Sequence, residues 1–189
     1  MAYGASREDW QHFADTMGLA QHLLPVVCNP NAKLSPNSTM SSVGRSPSVY
    51  NSYRTVGGLP KWTRHEATPA EIKQWQREPD YGICIQCREI RAIDIDIPNA
   101  AVTKQVIAAV ENVLGFKLPL RGRTGVGKGL LAFRLDHPWP KRVIPTEHGP
   151  IEWLGDGQQF VACGSREDGS RYVWRALPDD FPLLTMEQV

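Results

Sequence analysis

The chain has 189 residues, of which 41% are apolar, and a formal net charge of +1. That length suits one compact α/β domain with a packed core, or one domain plus a flexible arm. No apolar run approaches the ~20 residues of a membrane span. The opening MAYGASREDW lacks the apolar centre of a signal peptide. Four cysteines, at 28, 84, 87 and 163, do not make a disulfide framework, and the expected compartment is reducing cytoplasm.

In chain order, residues 7–17 read as a first helix, with Ser6 as N-cap and Gly18 as the stop. LLPVVC (23–28) reads as a buried strand. Residues 29–60 are rich in Ser, Asn, Pro and Gly and read as one long, flexible loop. Thr68-Pro69-Ala70-Glu71 is a capping box with proline at the first helical position, opening a second helix that ends before Pro79 and buries Ile72 and Trp75. GICIQC (82–87) and IRAIDIDI (90–97) read as two strands. Val102, Val106, Ile107, Val110, Val113 and Leu114 recur at helical spacing up to Gly115. LLAFRL (130–135) is a strand, and PIEWL (150–154) and QQFVAC (158–163) flank Gly155-Asp156-Gly157 as a predicted hairpin. RYVW (171–174) is a last short strand, and no internal repeat is evident. The order predicts an α+β fold, a mixed sheet with helices on one side, built as a single domain over 1–189.

Charge is unevenly spread. Residues 29–64 hold five Lys or Arg and no acid, 117–142 hold seven bases and one acid, and 143–169 hold five acids and one base. Basic stretches beside an acidic cluster suit a site that takes a polyanion through metal ions, although an ordinary mixed surface has the same look. Cys84 and Cys87 form a CxxC, but positions three apart on a strand face opposite sides. No second pair completes a zinc site, so they read as core cysteines.

The acids carry the sharpest signal. Asp94 and Asp96 stand in A-I-D-I-D-I, where residues two apart share one strand face and Ile93, Ile95 and Ile97 take the other. Their Cα atoms are about 6.5 Å apart, a spacing from which two carboxylates converge on paired cations. Two like charges on an apolar strand need an offset, and divalent metal is the simplest one; a solvated strand edge is the bland alternative. Glu152, in P-I-E-W-L, is the third candidate ligand, provided the sheet brings it alongside.

Gly122–Lys128 matches the GxxxxGK part of a phosphate-binding loop, but Gly129 replaces the Ser or Thr and a strand follows instead of a helix. The stretch reads instead as a basic, glycine-rich hairpin. Arg121 and Arg123 are expected on one face, Lys128 in a Gly-Val-Gly-Lys-Gly turn, and Arg134 on the polar side of its strand.

Together, GRSPSVYN, the ATPAEIKQW helix, PDYGICIQCREIRAIDIDI, RTGVGKGLLAFRL and IEWLGDGQQFVACGS…GSRYVW resemble the primase-polymerase domain of the archaeo-eukaryotic primase superfamily, in its phage and plasmid replication forms. The resemblance runs from about Gly44 to Trp174. It puts Asp94 and Asp96 on the first motif's acids and Glu152 on the third motif's acid. It implies an RRM-like catalytic sheet with a small N-terminal α/β lobe. It further implies two Mg²⁺ or Mn²⁺ ions, nucleoside triphosphates, a single-stranded DNA template and primer, and a helicase domain or subunit as partner in the bacterial or phage-infected cytoplasm. Where many relatives carry a histidine in the second motif, Leu130 stands here, so Arg121, Arg123, Lys128 and Arg134 are the expected triphosphate contacts. Where relatives often show histidine after the third motif, Arg166 stands. Lys33, Arg45 and Arg54, in the basic loop, are the expected DNA contacts. A metal-dependent nuclease and a non-catalytic single-strand or origin-binding module are the rival readings.

Overall fold

The computed structural model describes residues 2–189. In chain order, helix α1 (Arg7–Gln11) runs into a π-helical turn (His12–Thr16) and is followed by β1 (Leu23–Val27), β2 (Ser48–Tyr50) and β3 (Val56–Gly58). Then come α2 (Pro69–Trp75), β4 (Tyr81–Cys87), β5 (Ile90–Ile95), α3 (Ala100–Leu114), β6 (Leu120–Arg123) and β7 (Val126–Arg134). The chain closes with β8 (Arg142–Ile144), β9 (Ile151–Leu154), β10 (Gln158–Ser165) and β11 (Arg171–Trp174). No helix among the described residues is long and apolar enough to cross a membrane. The elements group into two compact units, residues 1–86 with 159–172, and residues 87–158 with 173–189.

In the first unit the caps predicted from sequence form as hydrogen bonds. Ser6 and Asp9 exchange side-chain and backbone bonds at α1, and Thr68 and Glu71 do the same at α2. The first helix is less regular than predicted, because Met17 N–H closes on His12 C=O, a five-residue step. The strands follow the order β1-β4-β10-β11. β1 runs antiparallel to β4, from Leu23 opposite Ile85 to Val27 opposite Tyr81. Leu24, Val26, Cys28, Cys84 and Val161 form a buried cluster here, and all four cysteines are buried, as expected of core cysteines. The stretch 29–60 is not one structureless loop. Its second half holds the antiparallel pair β2–β3, with Ser48 opposite Gly58 and Tyr50 opposite Val56. Strands of three residues carry too little alternation to stand out in such a Ser- and Gly-rich sequence.

The second unit is a five-stranded sheet in the order β6-β7-β5-β9-β8. Every pairing in it is antiparallel, where a mixed sheet was expected. The α3 helix begins at Asn99, whose side chain accepts from the N–H groups of Ala101 and Val102, and ends at Gly115 in the left-handed region at φ 77°. Its stripe of Val102, Val106, Ile107 and Val110 packs on Ile93, Ile95 and Ile97, along β5 and just past its end, and on Leu131 and Phe133 of β7, each set at alternate positions.

Two expectations are corrected here. The glycine-rich stretch is not a turn carrying Lys128. The turn lies at Thr124-Gly125, and residues 126–134 are one continuous strand. Gly127 is needed there because a Cβ would stand 2.2 Å from the Pro98 carbonyl oxygen, at the approach to α3. Nor do β9 and β10 form a hairpin. Both edges of β9 are taken, by β5 on one side and β8 on the other, so Gly155-Asp156-Gly157 is a departure and not a tight reversal. Replacing Asn99 by Ala is expected to lower stability by about 1 kcal/mol, the usual worth of an N-cap, in chemical denaturation.

Candidate active site

The site follows from the register of β5. Asp94 lies directly opposite Leu130 of β7 on one side and Glu152 of β9 on the other. Leu130 in turn faces Arg121 of β6, and Glu152 faces Val143 of β8. Residues directly opposite across a sheet point to the same side, so Arg121, Leu130, Asp94 and Glu152 form one row on one face. Opposed Cα atoms stand about 4.5–5.5 Å apart, which puts the Glu152 backbone alongside that of Asp94. Asp96 follows two residues on, on the same face, just past the end of β5, where its N–H donates to the Pro150 carbonyl at 3.0 Å. The other face of β5 belongs to Ile93, Ile95 and α3.

Each of the three carboxylates has a base against it. The Arg121 guanidinium is 3.8 Å from Asp94 Oδ1. The Lys128 ammonium contacts Asp96 Oδ1. The Lys141 ammonium lies 2.9 Å from Glu152 Oε2. Arg121 is buried, while Lys128 and Lys141 remain about one-third exposed. Burial pushes the Asp94 carboxyl above the ordinary aspartate range. Arg121 and Lys128 work against that shift, and the nearby Asp96 and Glu152 add to it.

Among the described residues no group of three or more His, Cys, Asp or Glu side chains already stands in a metal-holding arrangement. The donor set nevertheless fits a divalent cation. Three carboxylates share one face and one sheet region, and lysine ammonium groups rest on two of them. All three are hard oxygen donors, the chemistry that Mg²⁺ and Mn²⁺ prefer.

The expected triphosphate contacts divide. Arg121 and Lys128 stand at the carboxylates. Arg123 lies opposite Val126, past a register shift between Gly122 and Arg123 that displaces the pairing by two residues on β7, so it stands nearer the hairpin turn than Arg121 does. Arg134 is at the far end of β7, opposite Ile90, four residues along β5 from Asp94, or about 13 Å. There it pairs with Asp180 at 3.2 Å and Glu89 at 3.6 Å. The expected DNA contacts all belong to the first unit. Lys33 is exposed, and Arg45 is exposed beside Glu167 at 3.3 Å. Arg54 is committed to structure. It pairs with Glu78 at 2.5 Å, lies 3.9 Å from Asp80, and sits over the Tyr50 ring at 3.9 Å, with its backbone at φ 56°.

Sequence reasoning counted Lys141 only as one base in a basic stretch. The signal that could have raised it was its place next to Arg142, ahead of an acidic strand. A carboxyl whose folded pKa lies above its unfolded one holds its proton more tightly in the native state. The stability it contributes is full below the unfolded value and is lost as pH rises through the folded one. Asp94→Asn is therefore expected to raise the melting temperature at neutral pH. Its advantage over the unaltered protein should shrink as pH falls towards about 3, in thermal melts across pH.

The sequence has no significant match among curated proteins. Residues 19–184 match the family model described as "bifunctional DNA primase/polymerase, N-terminal", and that span holds all three carboxylates and all three bases set against them. With most of its length covered by this match, the chain belongs to the Prim-Pol family of bifunctional DNA primase/polymerase domains.

Proposed function

We propose that the chain is a template-directed nucleotidyl transferase, making or extending primers on single-stranded DNA in phage or plasmid replication, with Asp94, Asp96 and Glu152 holding two Mg²⁺ or Mn²⁺ ions. Family membership supports the coarse activity, a primase/polymerase-type nucleotidyltransferase that takes DNA and nucleotides. The observation that carries the finer reading is the register of β5 and β9, which puts Glu152 opposite Asp94, with Asp96 two residues on.

Bound at these carboxylates, divalent ions would supply an activated 3′-hydroxyl and charge neutralisation at the departing pyrophosphate. The protein's own residues place and compensate. Asp94 and Glu152 are held opposite each other on β5 and β9, each strand paired on both sides, so together they set the position of the group. Asp96, just past the end of β5, has the freedom to adjust around them. Arg121 and Lys128 supply positive charge on the same face for the triphosphate. Arg123, in the adjacent hairpin, is a further candidate. Arg134, held by Glu89 and Asp180, is better read as fixing the strand end. Lys33 and Arg45 are candidate contacts for the template or primer backbone, with Arg54 shaping the segment between them and α2. A replicative helicase domain or subunit is the expected partner.

The decisive assay is synthesis on single-stranded DNA, with and without a primer, using ribo- or deoxyribonucleoside triphosphates and Mg²⁺ or Mn²⁺. Asp94→Asn and Asp96→Asn are expected to lower incorporation by about 100-fold or more while the protein stays folded. Near-normal extension by both variants would overturn the reading. Degradation of labelled DNA without added nucleotides would point to a nuclease instead. Lys128→Ala is expected to raise the nucleotide KM and lower kcat, a loss of ~1.5–3 kcal/mol for a charge-assisted contact, with primer-template affinity little changed. Neutralising Lys33 and Arg45 together should flatten the salt dependence of DNA binding by about two phosphate contacts, read from affinity across salt concentrations.

A further inference from the structure

The three carboxylates and the three bases against them offset one another in charge. A nucleoside triphosphate with two divalent ions is likewise close to neutral, because about four negative charges meet four positive ones. Such a complex can enter this face without changing its net charge, provided that the bases leave the carboxylates as the ions arrive. Arg121 is buried beside Asp94 and has little freedom. The two lysines are the movable members, one on each side of β5: Lys128 from β7 and Lys141 from the segment leading into β8.

Lys141 is held in place by a built support. Trp139 N–H donates to the Asp156 carboxylate at 2.9 Å, and Asp156 N–H donates to the Trp139 carbonyl at 2.8 Å. The Asp156 carboxylate also pairs with buried Arg91 at 2.8 Å. Gly155 permits this clasp, since a Cβ there would stand 1.9 Å from the Trp139 carbonyl oxygen. On the other flank, Arg142 covers the Trp139 ring at 4.5 Å, and Val143 lies opposite Glu152. The backbone on both sides of Lys141 is thus fixed while its side chain reaches a candidate metal ligand. A lysine–glutamate pair exposed to this degree contributes little to stability, so its exchange for another partner is cheap.

We propose that Lys141 is a positioning residue of the nucleotide site. It holds Glu152 while the site is without substrate, and it turns to a phosphate oxygen of the incoming triphosphate when cations take the carboxylates. This inference rests on the metal and nucleotide reading given above. Lys141 competes with free cations for Glu152, yet it favours the same cations once a triphosphate accompanies them. The site therefore discriminates against metal arriving alone.

The experiment is titration calorimetry of Mn²⁺ into the whole chain without nucleotide, and of a non-hydrolysable nucleoside triphosphate in saturating Mn²⁺. The proteins compared are the unaltered chain, Lys141→Met, Lys141→Arg and Asp94→Asn. Lys141→Met is expected to bind Mn²⁺ alone several-fold more tightly and the triphosphate about tenfold more weakly. Lys141→Arg should restore triphosphate binding. If Lys141→Met binds both ligands within twofold of the unaltered chain, while Asp94→Asn abolishes Mn²⁺ binding, the metal site stands and the role of Lys141 is overturned. If Asp94→Asn leaves Mn²⁺ binding intact, the metal reading and this inference fall together.

Discussion

Strict alternation along β5, between β7 and β9, is the constraint on which the candidate site depends. Isoleucines at 93 and 95 must face α3, because burying them against Ile107, Leu131 and their neighbours is what closes this unit's core. Once that face is taken, Asp94 and Asp96 are forced to the other. A slip of one residue would drive both acids into the core and the isoleucines to the opposite face, at a cost no local interaction could offset. The core therefore sets the acid geometry, and the acids need contribute nothing to folding. Burial raises the Asp94 carboxyl above its ordinary range, the direction expected of an acid held in place by the core.

Antiparallel pairing then assembles the rest. Each neighbour strand brings one charged residue to the same face: Glu152 from β9, Lys128 and, one strand further, Arg121 from β7 and β6. A sheet suits this because its pleat repeats across strands, so a row of side chains from distant parts of the chain is held by backbone hydrogen bonds alone. The glycines of the β6–β7 hairpin serve the opposite face. Gly127 and Gly129 let β7 approach Pro98, Thr103 and Ile107 closely, which keeps Lys128 on a well-supported strand. A motif that looks like a phosphate loop in sequence is thus a close-packed strand whose lysine faces the acids.

Charge compensation distinguishes this face from an ordinary polar strand surface. Carboxylates gathered this closely repel one another, and the chain answers with bases of graded mobility. Arg121 is buried and fixed, and Lys128 and Lys141 are partly exposed on flexible stems. A buried base offsets Asp94, and partly exposed, movable bases lie on Asp96 and Glu152. Basic side chains from three separate strands or their flanks occupy this face.

Several features were determined by the sequence alone. The helix starts at Ser6 and Thr68 follow from local hydrogen-bond chemistry, in which a side chain three residues away satisfies an end-of-helix amide. The alternation of 93–97 and the helical period of 102–114 follow from which faces must be apolar. These placed Asp94 and Asp96 on one face before any partner strand was known. Tertiary structure decided what depends on pairing between distant segments. That Glu152 stands opposite Asp94, that β9 pairs with β5 and β8 and forms no hairpin with β10, and that Arg134 lies away from the acids are matters of register, which a single chain does not display. For the same reason Lys141 stands out in the sequence only as one base of a basic stretch. Its role depends on a clasp between Trp139 and Asp156, seventeen residues apart, and nothing in local composition encodes a contact made only when the sheet closes.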